Sequence, residues 1–256
     1  MTIEKRRRIR LAGIVALTCA ALVFAADVIM LGMPVSGDEI SDYRILATLP
    51  EWRLRLGGYG AFIIIGFVIG VWQLYEGIKP AGEWWSIPPF LLLSYFFISG
   101  AMFHFLVPFI GAAVKAQAQM QGSEYQSMET LVQTMRGYWL VPYITGLVSL
   151  VIGSLWFAAA VLFRPTHFPR WMAALSPLFP IGAAFLITRW LPAPFGGYLL
   201  GPFVHFATPV IFGSSTALLW NVKIDSANES RFVSSGQYSN DSEPGRLQIE
   251  PEKKSS

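Results

Sequence analysis

Three side chains stand out because their type is costly where they sit. Asp27, His104 and His205 each lie inside a long apolar run. An ionisable group in such a run is expensive unless it is paired or used. An aspartate and two histidines can bind a divalent metal, because imidazole and carboxylate suit zinc or iron. They can also relay a proton, since histidine titrates near neutral pH and a carboxylate stabilises its charged form. Two histidines can ligate a haem iron. The plainest alternative is a structural hydrogen bond between helices, worth about 1 kcal/mol. Glu76 and Arg189 are the remaining ionisable residues within apolar runs. Both fall near run ends, where a long side chain reaches the interface, so they read first as boundary residues and second as site residues.

The histidines share a local pattern, His104-Phe105-Leu106-Val107-Pro108 and His205-Phe206-Ala207-Thr208-Pro209. Proline four residues on lacks the N–H that would bond the histidine's own carbonyl. Each histidine is therefore expected to offer an imidazole and a freed carbonyl at one kinked turn. Interrupted helices at membrane depth often line ion or substrate sites. The pattern falls in the third helix of each half, the register of an inverted repeat. Trp72–Pro80 and Trp156–Pro165 also look alike, but they fall in the second and fourth helices, against that register. No repeat is assigned.

The elements that must position these groups are membrane spans. Of 256 residues, 54% are hydrophobic and 14% charged, well below the roughly 25% charged of a soluble domain. Mean hydropathy is +0.48. Apolar residues gather in runs long enough to cross a bilayer core of roughly 30 Å. The expected fold is all-α: an integral membrane bundle of six transmembrane helices over residues 1–223, with spans at about 11–33, 57–77, 86–114, 137–163, 171–190 and 198–221. The third is expected to start near Ser86 as its cap, with Pro88 and Pro89 in its first turn. The first run reads as an uncleaved span rather than a signal peptide, because it continues past Ala25 through Val28-Ile29-Met30-Leu31.

Lys5, Arg6, Arg7, Arg8 and Arg10 precede the first run, which places the N-terminus in the cytoplasm. Six spans then return the C-terminus to the cytoplasm. The segments 34–56 and 115–136 fall outside and read as ordered connectors. With the first and third helices running outward and the sixth inward, Asp27 lies roughly 9 Å, His205 about 10 Å and His104 roughly 15 Å from the outer side. Within one helical turn that is a single layer. Residues 224–256, rich in Ser, Asn, Glu, Gly and Lys, read as a disordered cytoplasmic tail.

The net charge of +3 sits beside a span and points to the lipid bilayer as partner, not to nucleic acid. The single cysteine, Cys19, allows no internal disulfide. No phosphate-cradling glycine loop, dinucleotide fingerprint, zinc-protease helix motif or nucleophile elbow is present. Gly57, Gly58 and Gly60, and the pair Gly66 and Gly70, read as close-packing positions.

The stretch Phe24-Ala25-Ala26-Asp27-Val28-Ile29-Met30-Leu31-Gly32 resembles the first-helix signature of an uncharacterised bacterial membrane family, known only as a domain of unknown function. Arg55-Leu56-Gly57-Gly58 leading into Trp72-Gln73-Leu74-Tyr75, and His104 in the third helix, are similar too. The likeness covers about the first half of the chain, and Ala26 stands where glycine is expected. It implies a polytopic inner-membrane protein with Asp27 and His104 as site residues, and no known activity. Three function classes remain: binding or transport of a small polar or protonatable ligand at the Asp/His layer, an intramembrane enzyme (metal-dependent or acid–base) acting on a lipid-like substrate, and a structural or assembly protein.

Overall fold

The computed structural model describes residues 3–36 and 43–220. The tail 224–256 and the acidic residues Asp38, Glu39 and Asp42 lie outside them. Helix α1, Ile3–Leu31, is a single helix. Its buried residues Ile9, Ala12, Ala16, Ala20, Val23, Asp27 and Met30 recur every three or four positions. That spacing is one face of a helix. The alanines let other helices approach closely, and Asp27 falls on the same inward stripe.

The second apolar run forms α2, Glu51–Ile64, and α3, Phe67–Ile78, broken by one turn at Gly66. Small residues fix how this pair meets its neighbours. A Cβ on Gly58 would stand 2.7 Å from Cγ of Pro108. On Gly66 it would stand 2.5 Å from Sγ of Cys19, and on Gly70 it would stand 2.7 Å from Cβ of Ala16. The close-packing role expected of these glycines is their role in the bundle.

Helix α4, Glu83–Gln117, begins one turn before the expected start. Gly82, at φ +96°, precedes it, and Ser86 donates back to the Gly82 carbonyl at 3.0 Å instead of capping. Pro88 and Pro89 therefore lie in the second turn. Helix α5, Gly122–Phe163, is one helix of 42 residues. The connector expected at 115–136 shrinks to the short link 118–121, because nothing between Ser123 and Arg136 breaks a helix. Val132, fully buried in this extension, packs with Leu46, Leu49, Leu54, Val107 and Ile110 as an apolar cap over one end of the bundle. A 3-10 turn, Tyr43–Thr48, carries Leu46 into that cap.

The expected fifth span is interrupted. A 3-10 turn, Arg170–Leu175, leads through Ser176 and Pro177 into α6, Leu178–Trp190, of 13 residues. The first N–H of α6 donates to Ser154 of α5 at 3.0 Å. The expected sixth span likewise divides into α7, Phe195–Leu199, and α8, Phe203–Leu219. Among the described residues, five helices are long and apolar enough to cross a membrane: α1, the α2–α3 run, α4, α5 and α8.

The two ends of the bundle are marked by polar contacts. At one, Lys5 pairs with buried Glu76 at 2.9 Å, and the His167 N–H donates to the Gly77 carbonyl at 2.9 Å. Arg10 there donates to the Trp220 carbonyl at 2.7 Å. At the other end, Arg53 donates to the carbonyls of Ile29 and, at 2.7 Å, Gly32. It thereby satisfies carbonyls left open at the end of α1. The Gly197 N–H meets the Val35 carbonyl at 2.9 Å at this same end. Between His167 and Gly197 the chain thus passes from one end of the bundle to the other.

Candidate functional site

Asp27, His104 and His205 come from three helices, α1, α4 and α8, and converge. The Nδ1 of His104 stands 3.4 Å from one carboxylate oxygen of Asp27, and the Nε2 of His205 stands 3.3 Å from the other. One ligand atom from each residue can be chosen so that all three lie within 4.8 Å of one another. The imidazole rings are 5.6 Å apart, centre to centre. The single layer expected from helix counting is one cluster.

Local packing accounts for the convergence. On α8, His205, Thr208, Phe212, Ser215 and Leu219 form a buried stripe with three- and four-residue steps. Phe67 stacks on the His205 ring at 5.5 Å with planes 15° apart, and Phe103 meets His104 edge-on at 6.0 Å. Pro108 keeps α4 against Gly58 of α2. The carbonyl freed by Pro209 is not open as expected. The Thr208 hydroxyl donates to the His205 carbonyl at 3.1 Å, so the offered group at His205 is the imidazole alone.

The polar atoms of the cluster are poorly satisfied. Asp27 is fully buried, yet neither of its carboxylate oxygens has a hydrogen-bond partner, and neither does the buried Nδ1 of His104 or of His205. A direct charge-assisted pair closes to roughly 2.7–2.9 Å. The contacts here are longer and poorly directed. The same bundle satisfies a comparable group elsewhere. Gln73 donates to the Ile9 carbonyl at 3.2 Å and to Thr216 at 3.1 Å, and accepts from Ser215 at 3.4 Å. Buried polar groups are as a rule satisfied, and the other buried carboxylate, Glu76, is paired with Lys5, so a buried carboxylate with both oxygens open sets Asp27 apart from Glu76.

A cavity of about 380 Å³ opens in front of the imidazoles. His104 and His205 line it and Asp27 does not, so the carboxylate stands behind the two rings. The walls are mainly apolar and aromatic, with Phe97, Phe103 and Trp139 prominent, and Ser99 and Arg136 add polar atoms. Leu46 closes it at the capped end. Tyr143 and Leu147, 44% and 39% exposed on α5, belong to the same lining, so the cavity reaches the side of the bundle. A Cβ on Gly100, one turn before His104, would meet nothing within 4 Å. Sequence reasoning missed this α4–α5 wall. Its one legible signal was Gly100, four residues from His104 on the same helical face.

The secondary candidates lie apart. Glu76 is at the opposite end, held by Lys5 and, at 4.0 Å, by Lys79. Arg189 sits in the last turn of α6. Neither belongs to the cluster. A bis-histidine haem needs the slot between its two imidazoles for the porphyrin plane. Here the Asp27 carboxylate stands against both rings, and the geometry does not suit that group.

A family model described as a family of unknown function (DUF6796) matches residues 1–222. The chain belongs to that family. The match takes in all three clustered residues and all of the described bundle, a wider span than the first-half likeness. No curated protein and no solved structure matches. Family membership therefore supplies a shared architecture and no activity, and the chemistry must be argued from the site.

Proposed function

We propose that the chain is a polytopic inner-membrane protein that binds a small ligand with a polar or protonatable group and an apolar body. The ligand lies in the cavity beside α4 and α5, with its polar group against His104 and His205. The observation that carries this reading is an apolar cavity ending on two imidazoles backed by a carboxylate with unmet valences. Pockets that take small molecules combine apolar walls with a few convergent polar groups in this way. The lateral lining by Tyr143 and Leu147 supports entry from the bilayer rather than from water.

Six spans with both termini in the cytoplasm fit this reading. The chain runs between opposite ends of the bundle from His167 to Gly197, which supports α6 and its preceding turn as a further crossing. The basic N-terminal flank supports the orientation. The cluster then lies in the outer half of the bilayer, within about two turns of the end of α1.

An acid–base or metal-dependent enzyme on a lipid-like substrate is the second reading. It is favoured by imidazoles that face the cavity with a carboxylate behind them, a pairing that orients a general base. The test is to fill the cavity without touching the cluster. Gly100→Leu puts a side chain into open space. Small molecules co-purifying with untagged protein in mild detergent are extracted and read by mass spectrometry. A species bound to wild type and lost from Gly100→Leu is expected. Equal retention by both proteins refutes the cavity as the binding site.

A further inference from the structure

We propose that Asp27, His104 and His205 are the three protein ligands of one divalent transition-metal ion. The ion's open coordination positions face the cavity. The inference deepens the ligand reading, because such an ion would be what the ligand's polar group meets.

The geometry argues for an ion rather than a direct hydrogen-bonded triad. Ligand atoms around a tetrahedral zinc-class ion, with bonds of about 2.0–2.1 Å, are roughly 3.3–3.4 Å apart. The two carboxylate–imidazole separations are 3.4 and 3.3 Å, each to a different oxygen of Asp27. The groups are not aligned for hydrogen bonds, and both oxygens of Asp27 are left without a partner. A cation between the three side chains satisfies the carboxylate and both facing nitrogens at once. The full set spans up to 4.8 Å, somewhat wider than that tetrahedral edge, and rotation of the imidazoles closes it around an ion.

The donor set selects the class of ion. Two imidazoles and one carboxylate suit zinc or iron, whereas magnesium and calcium prefer all-oxygen shells. A site with three protein ligands leaves at least one position for water or a ligand group. His104 and His205 line the cavity, so the cavity is the route by which a ligand reaches that position. Phe67 and Phe103 hold the rings by stacking and edge contact. Three closely packed helices carry one ligand each, which fixes the backbone positions from which the rings close.

The test uses the full untagged chain in mild detergent. The protein is stripped with a chelator, incubated separately with Zn(II), Fe(II), Co(II) or Mg(II) alone, desalted, and its metal content measured. About one ion per chain is expected with a transition metal, as for a three-ligand site, and none with Mg(II). Bound Co(II) should show the visible bands of a low-coordinate nitrogen–oxygen site. His104→Gln and His205→Gln should lower retention by at least the roughly 10-fold that loss of even an outer-shell partner costs. His167→Asn should retain the ion in full. The Co(II) spectrum reads wild type alone, so a misfolded variant does not void the test. A wild type that holds no transition metal overturns the proposal, as does one whose metal survives both histidine substitutions. Metal content and co-purified small molecules are read separately, so loss of the metal proposal leaves the cavity reading intact, and the reverse also holds.

Discussion

Asp27→Asn separates a site from a strut. The carboxylate is fully buried, and both oxygens lack a hydrogen-bond partner although imidazole nitrogens stand 3.4 and 3.3 Å away. An unsatisfied buried acceptor costs about 1–3 kcal/mol, and more when charged. Asparagine keeps the shape, removes the charge and adds an amide N–H₂ that can donate to the unpartnered Nδ1 of His104. In chelator-treated protein, Asp27→Asn should therefore be more stable than wild type by about 1–3 kcal/mol. That corresponds to a thermal midpoint raised by a few degrees. Without chelator and with Zn(II) added, the difference should shrink or reverse, because an ion that binds only the folded wild type stabilises it by mass action. Equilibrium unfolding in mixed micelles and thermal melts, each with and without chelator, measure both quantities. Breaking a buried structural ion pair instead costs about 3–5 kcal/mol. If Asp27→Asn destabilises the stripped protein by such an amount, the cluster is a structural fastening and not a binding site.

Three further expectations follow from the same packing. Gly70→Ala and Gly100→Ala gain the same helix propensity, about 0.5–1 kcal/mol. At Gly70 the new methyl meets Ala16 and the fully buried Phe212, so net destabilisation of about 1–2 kcal/mol is expected from overpacking; at Gly100 the gain should stand, and thermal melts of the pair decide. Burial, and behind it the Lys5 charge, pushes His167 below the ordinary 6.5, with Glu76 opposing. The unfolded chain then binds the proton more readily, so stability should fall as pH drops below 6.5 through the lowered value. His167→Asn should flatten that slope below about pH 6.5, and melts across pH that coincide for the two proteins would refute this. In a chain with Cys19 replaced by serine, a single cysteine at Gln119 should react with an impermeant maleimide on intact cells. One at Lys79 should react only after permeabilisation, and the opposite result would invert the proposed topology.

The sequence alone determined where the apolar helices lie, that Asp27, His104 and His205 are the ionisable groups deepest within them, and that these share a depth. Each of these follows from local information: run length, the cost of a charge in an apolar run, and a rise of 1.5 Å per residue. The stripe of alanines that turns Asp27 inward is also written in α1, at steps of three and four. Only the tertiary structure decided the rest. The sequence places residues along each helix but does not set which faces meet, because lateral packing depends on close approaches such as Gly58 on Pro108 and Gly70 on Ala16. Those contacts join residues far apart in the chain. The same is true of the Thr208 hydroxyl at the His205 carbonyl, of the unbroken α5 that carries Val132 into the apolar cap, and of the cavity itself. A cavity is the space that packing leaves open, and no single segment of the chain encodes it.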